Sequence, residues 1–289
     1  MSLRRRLHAL RRLLPARVRR RLSGWLRRHG FRPDAHYRIR LEYPTSASNA
    51  PRWNPHPELE RLIAARDESY RESLELIQSY AEALGDRAWS NEWLPILDGG
   101  SIYAFIRSRS PAIYAEVGSG FSTRFAATAK SDGGLGTEIV SIDPEPRAEV
   151  DQLCDRILRL PLESADTSVF GELSEGDVLF FDGTHRAFMN SDATVFFLEV
   201  LPKLASGVLV GVHDVFLPYD YPEEFADRYY SEQYLLAVHL LAGNPRLEPV
   251  LPLFYARHHP ELSVLAASME PSPGVRGGCA FWLETRDPA

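Results

Sequence analysis

A glycine loop between a predicted strand and a predicted helix carries the strongest chemical signal in the sequence. Residues 115–123 read AEVGSGFST. Gly118 and Gly120 permit a sharp turn and let a ligand approach the backbone closely, and the following helix directs free N–H groups at that ligand. Asp143 ends the next predicted strand, 23 residues after Gly120. An acid at that place is positioned to bind ribose hydroxyls, so the pattern predicts a ribose-containing ligand.

The residues around the loop narrow the choice of ligand. A dinucleotide fingerprint has a third glycine where this chain has Thr123. Glu116 lies two residues before Gly118, and a negative charge there disfavours a pyrophosphate and favours a cationic ligand. No G-x-x-x-x-G-K-S/T sequence is present, which excludes a P-loop. S-adenosylmethionine contains an adenosine, an ammonium and a sulfonium, and it suits this acid-flanked loop.

Four stretches resemble class I S-adenosylmethionine-dependent methyltransferases. Residues 116–120 (EVGSG) are similar to motif I of that family, and residues 141–144 (SIDP) to the acidic end of its second strand. Residues 180–185 (FFDGTH) and 212–218 (VHDVFLP) resemble strands four and five of a small-molecule O-methyltransferase-like branch. The resemblance covers residues 95–286. It implies an α/β fold, a doubly wound, Rossmann-like sheet of seven strands, with a helical extension before it.

The resemblance also implies roles for the loop residues. Glu116 would face the amino group of the methionine part, the backbone of the glycines would give access, and Asp143 would hold the ribose. The implied cofactor-binding set is Glu116, Gly118, Ser119, Gly120, Ser122, Thr123, Asp143 and Asp182.

Two acids and two histidines follow the predicted fourth and fifth strands. Asp182 ends the fourth strand and Asp214 the fifth; His185 lies three residues after Asp182, and His213 precedes Asp214. In the implied topology these strands are neighbours, about 4.8 Å apart, and their carboxyl ends face the ligand crevice. We therefore expect all four side chains near the transferred methyl group and predict them as catalytic residues.

Two chemistries remain open for this cluster. Catechol-type enzymes of the family hold magnesium with an aspartate after strand four and an Asp-Asn pair after strand five, whereas this chain has His213 and Asp214. A metal held by Asp182, Asp214 and His213 would be manganese, iron or zinc. Alternatively, His185 or His213 removes the acceptor proton without a metal, because an imidazole titrates near neutral pH. In a third interpretation Asp182 only caps a turn.

Patterns typical of buried strands alternate with helical patterns along the chain. This alternation predicts a parallel sheet with helices on both faces, which would position the candidate site residues. The predicted strands are 113–117, 139–143, 157–160, 178–182, 208–214, 248–255 and 279–284. The predicted helices are 58–84, a short one after Gly100, 122–129, 147–154, 193–204 and 223–241.

The first 40 residues form a basic arm. They contain fourteen arginines, no lysine and one acid, Asp34, and leucines at helical spacing predict two short amphipathic helices. Such helices, with Trp25 among them, suit the surface of an anionic membrane; a solvated arm, or one packed on the acidic body, is the alternative. We predict a basic amphipathic arm over 1–40, a linker and helical extension over 41–94, and a methyltransferase domain over 95–289.

The composition fits an ordinary globular protein, with 44% hydrophobic and 25% charged residues in 289. Cys154 and Cys279 lack metal-type spacing and fit a reduced, cytoplasmic compartment. No apolar run suits a signal peptide or a membrane span. The net charge of -6 is the sum of a basic arm and an acidic remainder of the chain. The acidic remainder argues against nucleic acid as the main ligand.

Together these features predict an enzyme that transfers a methyl group from S-adenosylmethionine to a hydroxyl of a small molecule. Two other classes stay open. One is a metal-dependent hydroxylase-like enzyme on the same fold. The other is a non-catalytic membrane-surface interaction protein that retains a vestigial cofactor fold.

Overall fold

A seven-stranded sheet organises the part of the chain that the structure describes. The computed structural model describes residues 54–84, 93–146, 148–225, 228–268 and 277–287. The strands are β1 Ile113–Val117, β2 Glu138–Ile142, β3 Arg156–Leu158, β4 Val178–Phe181, β5 Leu209–Val212, β6 Leu247–Pro252 and β7 Phe281–Thr285. Their order in the sheet is β3-β2-β1-β4-β5-β7-β6. β1 to β5 pair in parallel, whereas β7 is antiparallel to both β5 and β6. The predicted doubly wound, Rossmann-like sheet is confirmed.

Helices lie between these strands and before the first one. They are α1 Pro57–Ala64, α2 Asp67–Ser79, α3 Ala81–Leu84, α4 Ile96–Arg109, α5 Phe121–Gly133, α6 Asp192–Val195, α7 Glu232–Leu241, α8 Leu253–His258 and α9 Leu262–Ala267. A π-helical turn, Phe196–Val200, continues α6. None of the helices in these described stretches is long and apolar enough to cross a membrane.

The sheet is buried on both faces, which explains why its central strands read as continuous apolar runs. All four residues of β4 and all four of β5 are buried. Gly211 in β5 lies opposite Phe180 of β4 and Trp282 of β7. A Cβ there would come within 2.7 Å of both rings, so the glycine lets the two aromatic rings pack over the middle of the sheet.

Helices of the predicted extension pack on the same core. Leu59, Ile63, Tyr70 and Leu74 are buried with the sheet residues in one hydrophobic cluster. The described residues belong to the compact unit Ala50–Ala289. The predicted arm lies outside the described residues, and the predicted domain boundaries stay predictions.

Several predicted helices were wrong in extent because tertiary packing overrides helical periodicity. The predicted helix 58–84 is broken at Ala65 and Arg66. The predicted helix 223–241 contains a 3-10 turn, Glu223–Phe225, and then α7. Between them Tyr229 has a left-handed φ of 56°, which no continuous helix allows. Residues 148–154, the described part of the predicted helix 147–154, contain the 3-10 turn Asp151–Leu153 and no α-helix.

Strand ends also differ from the predictions. β4 and β5 stop before Asp182 and His213, so these polar residues lie just past the carboxyl edge of the sheet. β6 ends at Pro252, and the residues to Tyr255 belong to α8. The predicted catalytic residues therefore lie at the edge of the sheet where ligands of open α/β sheets bind.

Candidate active site

The loop after β1 turns sharply at Gly118, which has a φ of 85°. A Cβ on Gly118 would lie 1.8 Å from the carbonyl oxygen of Asp182. The Gly118 N–H donates to the Ile142 carbonyl at 3.0 Å, and the Asp182 N–H donates to the Val117 carbonyl at 2.8 Å. Glycine is therefore required by both backbone conformation and space, and it brings the ends of β1, β2 and β4 together.

Glu116 lies beneath this loop and is fully buried. Its carboxylate accepts hydrogen bonds from the hydroxyl groups of Ser122 at 2.8 Å, Tyr114 at 3.2 Å and Thr123. Burial raises the pKa of Glu116 to about 7, against the opposing effect of these hydroxyl donors. The carboxyl group thus fixes the first turn of α5 from below.

A cavity of about 220 Å³ lies above the loop, at the carboxyl ends of β1, β2 and β4. Its polar lining residues are Ser119, Ser122, Asp143, Glu145, Glu163, Asp182, Thr184 and Asp192, and Gly118, Gly120 and Phe121 contribute as well. Glu116 and Thr123 are absent from the lining. Their side chains are hydrogen-bonded to each other under the loop, and their contact with a cofactor stays a prediction.

Asp143 ties the second strand to the loop at the cavity edge. One carboxylate oxygen accepts the Ser119 N–H at 2.7 Å, and the other accepts the Glu145 N–H at 2.7 Å. Ser119 also exchanges a hydrogen bond with the Ser141 hydroxyl at 2.6 Å. The carboxylate is half-buried and lines the cavity, so it lies where the sequence predicted a ribose-binding acid.

Asp182 joins the cavity to a buried cluster of charged groups. Its Oδ1 lies 3.1 Å from His185 Nε2 and 3.4 Å from His213 Nδ1. Asp214 Oδ2 lies 3.7 Å from His185 Nε2, and Asp214 Oδ1 lies 3.9 Å from His213 Nδ1. The structure therefore brings all four predicted catalytic residues together. Of the four, only Asp182 lines the cavity.

Each histidine also contacts a carboxylate that sequence reasoning missed. His185 Nδ1 lies 2.5 Å from Glu232 Oε1, and His213 Nε2 lies 3.2 Å from Asp98 Oδ2. Both acids are fully buried. They begin helices far along the chain from their partners, Glu232 as the first residue of α7 and Asp98 in the first turn of α4. Glu232 lies within the predicted helix 223–241, whereas Asp98 precedes the short helix predicted after Gly100.

Opposite charges set the protonation of this cluster. Burial lowers the pKa of His185, but Glu232, Asp182 and Asp214 outweigh it and hold that pKa well above its usual value. At His213 burial also lowers the pKa, but Cys279, Asp182 and Asp214 raise it by more, so this pKa too lies well above its usual value. The two imidazoles in turn overcome burial at Asp182 and hold its pKa well below the usual range. Both imidazoles thus lie among carboxylates that favour their protonated forms.

The predicted metal ligands Asp182, His213 and Asp214 do not form a compact donor set. Across the described residues, the His/Cys/Asp/Glu group with all ligand atoms within 4.8 Å of one another is Asp98, His213 and Cys279. The difference arises because His213 directs Nδ1 to Asp182 but Nε2 to Asp98 and Cys279.

The loop that follows β5, residues 216–222 (FLPYDYP), packs its aromatic side chains inward. Phe216 and Tyr221 are buried in a second cluster with Phe225, Phe254 and Cys279. The Gln233 side chain accepts the Phe216 N–H at 2.8 Å. These residues support the loop and do not line the cavity.

A protein-family model described as a methyltransferase domain matches residues 115–215. The matched segment runs from β1 past β5. It contains the glycine loop, Asp143 and the four clustered residues that follow β4 and β5. No protein of curated function matches the chain.

Solved structures of methyltransferases share similarity with most of the chain. An O-methyltransferase from Bacillus cereus in complex with S-adenosylhomocysteine is 16% identical, over 79% of this chain and 100% of that one, with a TM-score of 0.43. The Podospora anserina methyltransferase bound to S-adenosylhomocysteine is 16% identical, over 86% and 100%, with a TM-score of 0.42. The Streptomyces achromogenes O-methyltransferase of tomaymycin synthesis, in complex with S-adenosylmethionine, is 18% identical, over 80% and 99%, with a TM-score of 0.40.

The raised pKa of Glu116 predicts a pH-dependent contribution to stability. Because this pKa is about 7 in the folded state and 4.5 ordinarily, the folded state binds more protons between these values. The contribution of Glu116 to the free energy of unfolding is therefore largest below pH 4.5 and is lost as pH rises through 7.

We expect the difference in unfolding free energy between wild type and Glu116→Gln to fall as the pH of urea titrations rises from about 5 to about 8. An exposed Glu58→Gln variant reports the background pH dependence. A difference for Glu116→Gln that stays constant over this range would contradict the assignment.

Proposed function

We propose, from the premise that this chain carries a class I S-adenosylmethionine-dependent methyltransferase domain, that it methylates a hydroxyl group of a small molecule. The resemblance to that class is confirmed by the methyltransferase family model, which matches residues 115–215, and by the order of the strands in the sheet. The observation that carries the proposal is the position of Asp182, which belongs both to the wall of the loop cavity and to the buried histidine cluster.

The lining of the cavity fits S-adenosylmethionine. Its carboxylates, Asp143, Glu145, Glu163, Asp182 and Asp192, favour a ligand with sulfonium and ammonium charges and disfavour a pyrophosphate. Gly118 and Gly120 line the cavity without side chains, which lets a ligand approach the backbone. We assign Ser119, Gly120 and Ser122 to the cofactor contact and Asp143 to the ribose. When bound, the cofactor supplies the electrophilic methyl group.

Asp182 and His185 are the groups we assign to the acceptor proton. A hydroxyl in the cavity can donate a hydrogen bond to Asp182, whose Oδ1 faces His185. Once His185 has lost its own proton, the pair can accept the hydroxyl proton as methyl transfer proceeds. Glu232, on the far nitrogen of His185, orients the ring. His213 is the weaker candidate, because its Nε2 is already occupied by Asp98 and Cys279.

The fold also aligns the reactants. The loop and the cluster meet at a backbone contact between Gly118 and Asp182, so a cofactor on the loop and a hydroxyl on Asp182 are held on rigid strand ends. Such positioning is the largest contribution a methyltransferase can make to an in-line transfer. The hydroxylase and non-catalytic interpretations gain no support from these contacts.

Cofactor binding is the first test of the proposal. Isothermal titration calorimetry of the full chain should show binding of S-adenosylmethionine or its demethylated product, and little affinity for NAD. Asp143→Ala should weaken this binding by about 1.5–3 kcal/mol, the range for a hydrogen bond to a charged group. Asp166→Ala, on the surface, is the matched control and should leave the affinity unchanged. Tight NAD binding without a response to S-adenosylmethionine would sink the cofactor assignment.

Proton removal is the second test, on an acceptor found by screening hydroxyl-containing small molecules. His185→Ala should lower the rate by about 100-fold to 10,000-fold, the usual share of general-base catalysis. Wild-type activity should rise with pH, with its midpoint above the ordinary imidazole value of 6.5, because the neighbouring carboxylates raise the pKa of His185.

His239→Ala is the control for this test, because His239 contacts Phe197 and Asn244 rather than the cluster. It should keep the wild-type rate. If Asp182→Asn combined with Asp214→Asn left turnover unchanged, the cluster would have no part in the reaction.

We further propose that the basic arm places the enzyme on anionic membranes. Fourteen arginines within 40 residues should each contribute about 1 kcal/mol near such a surface. In a liposome cosedimentation assay, the full chain should bind vesicles that contain anionic lipid, and high salt should weaken binding. Replacing Arg4, Arg5, Arg6, Arg11 and Arg12 with glutamine should reduce it. Equal sedimentation with neutral vesicles would contradict this proposal.

A further inference from the structure

Three different metal-ligating atoms meet in the core behind the cavity. They belong to Asp98 in α4, His213 after β5 and Cys279 before β7. The three residues are 0%, 3% and 5% exposed. A carboxylate, an imidazole and a thiol from three separate elements make a donor set that zinc accepts.

The separations between the three donor atoms match one face of a tetrahedron around zinc. His213 Nε2 lies 3.2 Å from Asp98 Oδ2, and Cys279 Sγ lies 3.7 Å from each of them. Tetrahedral coordination at ordinary zinc distances requires N···O, S···N and S···O separations of about 3.4, 3.6 and 3.6 Å. The observed separations therefore differ by about 0.1–0.2 Å from those that a single zinc ion requires.

The surrounding backbone holds the Asp98 carboxylate in the orientation that a metal ligand needs. Its Oδ1 accepts the N–H groups of Cys279 at 2.9 Å and Ala280 at 2.8 Å. Oδ2 accepts a second, longer hydrogen bond from the Cys279 N–H at 3.2 Å and faces both the thiol and His213 Nε2. Hydrogen bonds of this kind on the second oxygen are typical support for a monodentate ligand.

The surroundings of the other ring nitrogen of His213 also support a role as a metal ligand. Nδ1 is buried and has no hydrogen-bond partner among the described residues. It faces Asp182 Oδ1 at 3.4 Å, and that oxygen also lies 3.1 Å from His185 Nε2. If Nε2 binds a cation, the ring proton must reside on Nδ1, next to that carboxylate. This is the carboxylate–histidine–metal arrangement of many metal sites.

The charges of the cluster leave room for a dication. Four buried carboxylates lie in one chain of contacts with the imidazoles of His185 and His213. They belong to Asp98, Asp182, Asp214 and Glu232, and each of them pairs with one or both of these imidazoles. Even with both imidazoles protonated and Glu232 neutral, the formal charge stays negative. Uncompensated buried charge is costly.

We propose that Asp98, His213 and Cys279 bind one divalent zinc ion that links α4 to the ends of β5 and β7. On binding, Cys279 releases its thiol proton to solvent and coordinates as a thiolate, so the ion and its two anionic ligands are neutral together. The ion keeps His213 from serving as the base and leaves that role to His185. Binding of this ion does not depend on the methyl-transfer proposal.

The test uses the full chain, purified without chelators from zinc-supplemented cells and then loaded with Zn²⁺ or Co²⁺ alone. Elemental mass spectrometry should find one zinc per chain. The cobalt form should show a thiolate-to-metal charge-transfer band in the near ultraviolet. Cys279→Ser should lose the band and weaken binding by more than the roughly 10–100-fold cost of losing an outer-shell partner.

Cys154→Ser is the matched control, because Cys154 donates to the Val150 carbonyl and lies outside the donor set. It should keep both the metal and the band. Circular dichroism shows whether each variant folds. If Cys279→Ser does not fold, Cys279→Ala takes its place. Folded wild type without bound zinc or cobalt, a cobalt form without the thiolate band, or unchanged metal content in Cys279→Ser would each overturn the proposal.

Discussion

The close approach of the Gly118 backbone to the Asp182 carbonyl is the constraint on which the site depends. A Cβ at Gly118 would lie 1.8 Å from that oxygen, so any other residue would push the loop away from β4. Because β1 and β4 are neighbours in the sheet, their carboxyl ends share one crevice. The glycine loop and the histidine cluster consequently meet at one place, with the Asp182 side chain both in the cavity wall and in the cluster.

Behind Asp182, charge alternates along a buried chain of contacts. Glu232 contacts His185, His185 and His213 both contact Asp182, and His213 contacts Asp98. Each imidazole thus lies between two carboxylates, which raises the pKa of both histidines and lowers that of Asp182. Low local dielectric strengthens every one of these interactions. Removal of one member would leave a buried charge without its partner, so the cluster orders the strand ends as well as positioning groups for chemistry.

Local sequence signals predicted the strand, glycine loop and helix around Gly118 and the acids at the strand ends, because periodicity and turn residues are properties of neighbouring positions. They could not predict Asp98, Glu232 or Cys279, which meet the histidines only through folding, 115, 47 and 66 residues away.

The hydrogen-bond partners of a side chain also escaped prediction. The Glu116 carboxyl group accepts hydrogen bonds from the hydroxyl groups of Ser122 and Thr123 under the loop, whereas the sequence indicated only a ligand for it. The predicted helix 223–241 failed for a related reason. Phe225 packs into the aromatic cluster, and the chain must turn at Tyr229 before α7 can begin.

The most direct measurement of the central claim is a crystal structure of the natively purified protein, combined with native mass spectrometry of the ligand that copurifies with it. The account predicts S-adenosylmethionine or its demethylated product in the cavity, against the backbone of Gly118 and Gly120, with its ribose at Asp143 and its sulfur beside Asp182. A dinucleotide in that cavity, or S-adenosylmethionine bound away from the loop, would contradict it.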